Sequence, residues 1–201
     1  FTTLYNVVDV YYAGLLSTDT QAGLAIGYQA FFIMMAVGFG LSSALSTLVS
    51  NAKGSGNNTQ AQRYVIQGIV FGIIITVSCM ILSWFLGPEI IVLVSEPGAY
   101  RNAATGYFYW LIFALPGFLL ASGGNGILLA HGDSLSILCA LIVAFVANIG
   151  LNPLLMFGLP GLWSGMGFNG IAAATIISQT GVMAYIVVRI FQLEIMQSVQ
   201  L

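Results

Sequence analysis

Charge is what this sequence has least of. Four basic and six acidic residues make up 5% of 201 positions, against about 25% in a soluble domain. So few charges cannot clothe a water-facing surface. With 59% hydrophobic residues, the composition is that of an integral membrane protein. A net charge of -2 argues against nucleic acid as a partner, which requires a basic face. The basic residues are also too scattered to form a polybasic lipid patch. Cysteine is scarce too. Cys79 and Cys139 sit singly in apolar runs, with no Cys-x-x-Cys and no Cys/His cluster. They read as small buried hydrophobes and no resident metal site is expected. Nucleophile–base pairs and phosphate loops are lacking, and the glycines around Lys53 have the wrong spacing for a P-loop. Strict apolar–polar alternation is missing as well, which excludes a membrane β-barrel.

What the sequence does have is long apolar runs. A spanning helix takes about 20 mostly apolar residues. Charges and turn residues mark out six candidates, at 1–16, 22–50, 64–86, 102–129, 135–157 and 171–191. The chain opens inside an apolar run and without Met, so the first helix is expected to be clipped at its N-terminus. Ser17-Thr18-Asp19-Thr20 should close it. A polar loop is expected at 51–63. Gly87-Pro88-Glu89 should end the third helix, with 89–101 as an interfacial segment turning at Pro97-Gly98. Pro116 should kink the fourth helix, because it has no N–H to donate. A tight loop at 130–134 and a Gly/Pro/Trp-rich connection at 158–170 complete the chain, with the sixth helix ending near Arg189 and Glu194. The expected fold is all-α: a polytopic bundle of six transmembrane helices. If the first helix runs outward, Lys53, Arg63 and Arg189 lie on the cytoplasmic side and Arg101 outside, in keeping with the positive-inside rule.

Small residues recur at helical spacing. Gly68 and Gly72 form a G-x-x-x-G pair, Gly38 and Gly40 precede a run of serines, and Gly117, Gly123, Gly124 and Gly126 mark the fourth span. In lipid such residues let helices approach closely.

The residue with the clearest chemical meaning is Asp9, the only charge in the first sixteen positions. A carboxylate at membrane depth is costly and points to an ion or proton path. Thr2, Asn6, Asp9 and Ala13 fall on one face of a helix, with Leu4, Val8, Tyr11 and Leu15 on the other. In the fifth span Asn148 and Asn152 share a face, and Pro153 leaves the Ile149 carbonyl without its usual donor. In the sixth, Thr175 and Gln179 share a face. Separately, each pair suits an interhelical hydrogen bond. Together with one carboxylate they compose an oxygen-lined site for Na⁺, or for a proton on Asp9. Asn6, Gln29, Asn125 and Gln179 are further candidates to line a cavity. An intramembrane aspartyl protease would need two facing carboxylates. Asp133, the only other candidate, belongs to a loop, so no enzyme is expected.

The motifs resemble those of the multidrug and toxic compound extrusion (MATE) transporters. "YNVVDVYYAGL" is similar to their first-helix Asn-x-x-Asp motif. "GFGLSSALSTLVSNAKGSGN" resembles the end of their second helix, with Asn51 where Gln is usual. "GILLAHGDS" resembles their Arg-Ala-Gln-Gly-Asp-Thr loop, from which Leu129 and His131 depart. "ANIGLNPLLMFGLPGL" and "GFNGIAAATIISQ" resemble helices 5 and 6. The resemblance implies that 1–201 is the N-terminal six-helix lobe of a twelve-helix transporter, with helix 1 truncated and the second lobe absent. It implies a multi-pass protein of the cell (inner or plasma) membrane that exports cationic or amphipathic small molecules in exchange for Na⁺ or H⁺, without another cofactor. It places the coupling ion at Asp9, Asn148 and Thr175. Many members carry a second carboxylate where this chain has Asn152, so the site here holds one negative charge. The alternatives are a lipid-linked saccharide flippase of related fold, which would need Lys or Arg in its cavity, and a structural or channel-like membrane domain.

Overall fold

The computed structural model describes residues 2–193 and 196, with side chains from Tyr5 onward. The side chains of Thr2 and Leu4, and Glu194, lie outside the described residues. Seven helices are present among the described residues: α1 (Thr2–Gly14), α2 (Thr18–Gly54), α3 (Asn58–Val94), α4 (Ala99–Ile112), α5 (Leu115–Ala130), α6 (Ser134–Phe157) and α7 (Phe168–Phe191). Their number exceeds six because the fourth span is broken. Pro116 has no N–H and its ring would strike the carbonyl of residue 112 in a regular helix. The chain therefore tightens just ahead of it. Phe113 N donates to Trp110 O (3.1 Å) and Ala114 N to Leu111 O (2.8 Å), and α4 and α5 meet at 53°. Counted as one bent span, they leave six helical segments, five of them long and apolar enough to cross a membrane, with α1 shorter at 13 residues. The protein is an all-helical, multi-pass integral membrane protein.

Three expected boundaries are corrected. The polar loop at 51–63 shrinks to Ser55–Asn57, because each flanking helix runs on. Asn57 caps α3 by accepting from Gln60 N at 3.0 Å. Likewise Thr18 to Thr20 do not simply close α1 but open α2. Ser17 and Thr20 form a reciprocal capping box there. At 37 residues each, α2 and α3 are roughly 55 Å long, well beyond a hydrocarbon core of about 30 Å. Their polar ends therefore reach into water. Third, Gly87-Pro88-Glu89 does not end α3, which continues through Pro88 to Val94, so the interfacial segment expected at 89–101 is mostly helix. In lipid, staying helical keeps every other backbone group bonded, and Gly87 gives the Phe108 ring direct access to the α3 backbone.

Packing follows the small residues. The inward face of α3 carries Gly68, Gly72, Thr76, Cys79, Ser83 and Gly87, while Phe71, Ile74, Phe85 and Leu86 point outward. This inverts the soluble pattern, as expected where lipid is the solvent. α2 is central and packs on α5, α4 and α3; α7 packs on α6 and α5; α1 lies across α2, α6 and α7. A Cβ on Gly126 would run into the Ser42 carbonyl, and one on Gly117 would lie 2.7 Å from the Gln179 backbone. Gly40 differs: no atom lies within 4 Å of such a Cβ.

Lys53, Arg63 and Arg189 lie at one end of the bundle and Arg101 at the other, as helix direction requires. At the first end, Asp133 caps α6 by accepting from Ser136 N (3.1 Å) and receives Arg189 Nη2 from the end of α7 at 2.7 Å. Arg189 holds the Asp133 carboxyl below its ordinary value of 3.8. Close by, burial lowers the pKa of the His131 imidazole, which is therefore neutral at pH 7.

Two outcomes follow from the packing and the clasp. Gly126→Val should lose about 1–3 kcal/mol, the range for overpacking a close contact, whereas Gly40→Ala should be neutral. Thermal melts in detergent check both. A carboxyl held low in the folded state stabilises above its unfolded pKa and stops doing so as pH falls through the folded one. Asp133→Asn should therefore melt lower than the parent at pH 7, and the gap should close below about pH 3.8.

Candidate functional site

Three helices bring the site together. α1 is tied down by Thr20 Oγ1, which donates to Ala13 O at 2.8 Å, and by Gln21 Nε2 on Val10 O at 3.4 Å. α6 and α7 are drawn together where Gly170 sits against the Leu155 backbone, and where Met166 N and Gly167 N donate to Leu155 O (2.8 Å) and Met156 O (3.0 Å). The face of α1 turned inward carries Tyr5, Asp9 and Ala13, all buried.

Asp9 is 3% exposed. Its Oδ1 accepts from Asn152 Nδ2 at 2.7 Å, and its Oδ2 accepts from Thr175 Oγ1 at 3.3 Å. The second Asn152 amide hydrogen goes to Asn148 Oδ1 at 3.2 Å, and Thr175 Oγ1 also lies 3.2 Å from Ile171 O. Asn148 and Asn152 are fully buried. Asn152 Oδ1, Asn148 Nδ2 and the Tyr5 hydroxyl are buried with no hydrogen-bond partner. Among the described residues the one ion pair is Arg189–Asp133, so no cationic side chain neutralises Asp9. A bare buried carboxylate is strongly disfavoured. The chemistry that satisfies this arrangement is a proton on Asp9, or a small hard cation held by the carboxylate and neutral amide, hydroxyl and carbonyl oxygens.

Beside Asp9 is a cavity of about 50 Å³, bordered among others by Tyr5, Tyr28, Thr175 and Gln179. It admits a few waters at most, and a drug-sized ligand takes roughly 300–1,000 Å³. The pocket is ion-sized.

The helical face drawn from the sequence needs adjusting. Tyr5, four residues before Asp9, takes the inward position, and Asn6 is half-buried beside it. Of the other cavity candidates, Gln179 borders the cavity. Gln29 is exposed on α2 and Asn125 belongs to α5, its Oδ1 buried without a partner; neither borders it. Tyr5, Tyr28 and the Ile171 carbonyl went unread. Tyr5 had a signal, its one-turn spacing from Asp9; Tyr28 and a backbone carbonyl had none.

An isolated carboxylate buried among membrane-spanning helices points to an ion or proton path. A family model described as MatE matches residues 1–154, and the chain belongs to that family. It is 31% identical over 186 residues to the probable multidrug resistance protein NorM of Mesorhizobium japonicum, covering 89% of this chain and 38% of the relative. It is 28% identical over 163 residues to the probable multidrug resistance protein YoeA of Bacillus subtilis, covering 81% and 35%. It is 26% identical over 175 residues to an FAD transporter of Shewanella oneidensis, covering 87% and 38%. The chain thus spans little more than a third of these relatives. The fold matches the inward-facing conformation of a multidrug resistance MATE family transporter with a TM-score of 0.88, at 22% identity, over 96% of this chain and 43% of that one.

The hydrogen bonds to Asp9 can be weighed singly. Thr175→Val removes the donor to Oδ2 and should destabilise by about 1–3 kcal/mol, the range for orphaning a buried polar group, while Thr175→Ser should retain most of the stability. Denaturation of the purified protein in detergent reads the difference.

Proposed function

We propose that the chain is the N-terminal lobe of a secondary antiporter. It would export organic cations and other amphipathic drugs in exchange for Na⁺ or H⁺, with the coupling ion at Asp9. One observation carries the reading: a buried carboxylate, met by neutral amide and hydroxyl donors from α6 and α7, has no cationic partner among the described residues. The second lobe, on this reading, belongs to the same chain and supplies the other wall of the drug pathway. The small size of the cavity beside Asp9 favours an ion there over the drug itself.

The local chemistry suits reversible binding. The Thr175 hydroxyl has one proton and two acceptors in reach, Asp9 Oδ2 and Ile171 O. With Asp9 ionised, the proton serves the carboxylate. When a cation approaches Asp9, the hydroxyl turns its proton to Ile171 and offers a lone pair instead. Asn152 acts similarly: its amide donates to Asp9, and its own oxygen has no other partner. Loading thus swaps hydrogen bonds within a fixed set of side chains. The break at Phe113–Ala114 and Pro153 within α6 provide places for helices to bend as access alternates.

Relatives differ in cargo, since two are named for multidrug resistance and one for FAD. An anionic dinucleotide calls for basic side chains. Lys53, Arg63, Arg101 and Arg189 all lie near helix ends, which favours cationic or neutral cargo here.

In the complete transporter, Asp9→Asn should fold normally and lose ion-driven efflux of a cationic dye from proteoliposomes. Imposing Na⁺ and pH gradients separately identifies the coupling ion. Undiminished efflux by the variant under both gradients sinks the proposal, and FAD transport by the parent without dye efflux would reassign the cargo.

A further inference from the structure

The connection between α6 and α7 has a feature that transport at Asp9 does not use. Its ten residues, 158–167, read GLPGLWSGMG and contain no charge. Every other connection at an end of the bundle has a charged residue within it or within two positions: Asp19, Lys53, Glu96 and Asp133. Yet this segment exposes large apolar side chains. Leu162 is 82% exposed, Leu159 43% and Trp163 39%, beside Phe157 at the end of α6.

The backbone holds these side chains in place. Leu159-Pro160-Gly161-Leu162 forms a turn in which Leu162 N donates to Leu159 O at 3.0 Å and Gly161 takes φ +79. Proline then glycine at the two central positions is the pattern of a type II turn. Leu159 and Trp163 pair as an antiparallel bridge, each N–H donating to the other's carbonyl at 3.1 Å. The returning strand is sewn to the end of α6 by Met166 and Gly167, and Gly158 and Gly165 let the two backbones touch. The hairpin is held by its own backbone hydrogen bonds and by those to the end of α6.

Depth names the partner. α6 and α7 have 24 residues each, about 36 Å of helix, which is just enough to cross a hydrocarbon core of about 30 Å. A hairpin mounted on both ends therefore lies at headgroup level, where Trp is enriched and leucines find the acyl boundary. We infer that the 158–167 hairpin is a built-in apolar anchor, seated in the lipid headgroup region of the leaflet opposite Lys53, Arg63 and Arg189. It fixes the depth of the α6–α7 pair, and with it the level of Asn148, Asn152 and Thr175.

The test is spin-label accessibility in the full-length transporter, reconstituted in phosphatidylcholine and otherwise free of cysteine. Leu162→Cys carries a nitroxide, with Leu159→Cys as a second site should the first fail to assemble, and Ser55→Cys as the water-exposed reference. The label at 162 should collide with O₂ in preference to a soluble nickel chelate, with a ratio several-fold above that at 55. A ratio equal to that at 55 would place the hairpin in water, and collision with neither reagent would place it against protein. Either result overturns the inference.

Discussion

One carboxylate in a low-dielectric bundle constrains much of the rest. Asp9 has lost its water and gained no cationic partner among the described residues, so its charge must be met by hydrogen bonds, a proton or a cation. Two donors converge on it from separate helices, 143 and 166 residues away along the chain. Both helices must reach α1 at the correct rotation and depth. That requirement gives the small residues at the α6–α7 base their importance. Gly170 lets α7 meet the backbone of α6 directly, and side chains on the two helices then reach one carboxylate.

The site is also asymmetric in a useful way. Amide nitrogen and hydroxyl hydrogen face the carboxylate, while the Asn152 amide oxygen is buried without a partner and the Thr175 hydroxyl is also within reach of the Ile171 carbonyl. With Asn152 rather than an acid one turn after Asn148, the donors calm a single charge; a second carboxylate at that distance would force the two to share a proton. In the proposed exporter this leaves one exchangeable charge at this site. Tyr5 and Tyr28 line the small cavity beside Asp9.

The long helices play a separate part. α2 and α3 overrun the membrane and carry Lys53 and Arg63 into water, while the Asp133–Arg189 clasp ties the start of α6 to the end of α7 at the same end of the bundle. At the other end the same two helices share the uncharged hairpin. The pair that supplies both hydrogen-bond donors to Asp9 is thus held at both ends, by a salt bridge at one and by a sewn turn at the other.

Much of this was legible in the order of residues. Composition and apolar run length determine a helical membrane bundle, because only helices or closed barrels satisfy the backbone in lipid. The expense of an isolated charge singled out Asp9, and the one-turn spacing of Asn148 with Asn152 put two amides on one face. The break before Pro116 was legible as well, since a missing N–H acts locally. Other features depended on neighbours distant in sequence. α3 continues through Pro88, with the Phe108 ring packed at Gly87, and whether Tyr5 or Asn6 sits beside Asp9 depends on how α1 is rotated against α6 and α7. No local pattern carries either fact, because helical periodicity gives a face to within about one residue while a contact selects a side chain. Sequence alone determined that a buried carboxylate would need polar partners; tertiary structure decided which atoms met it, because hydrogen bonds across helices depend on the rotation and depth of all three.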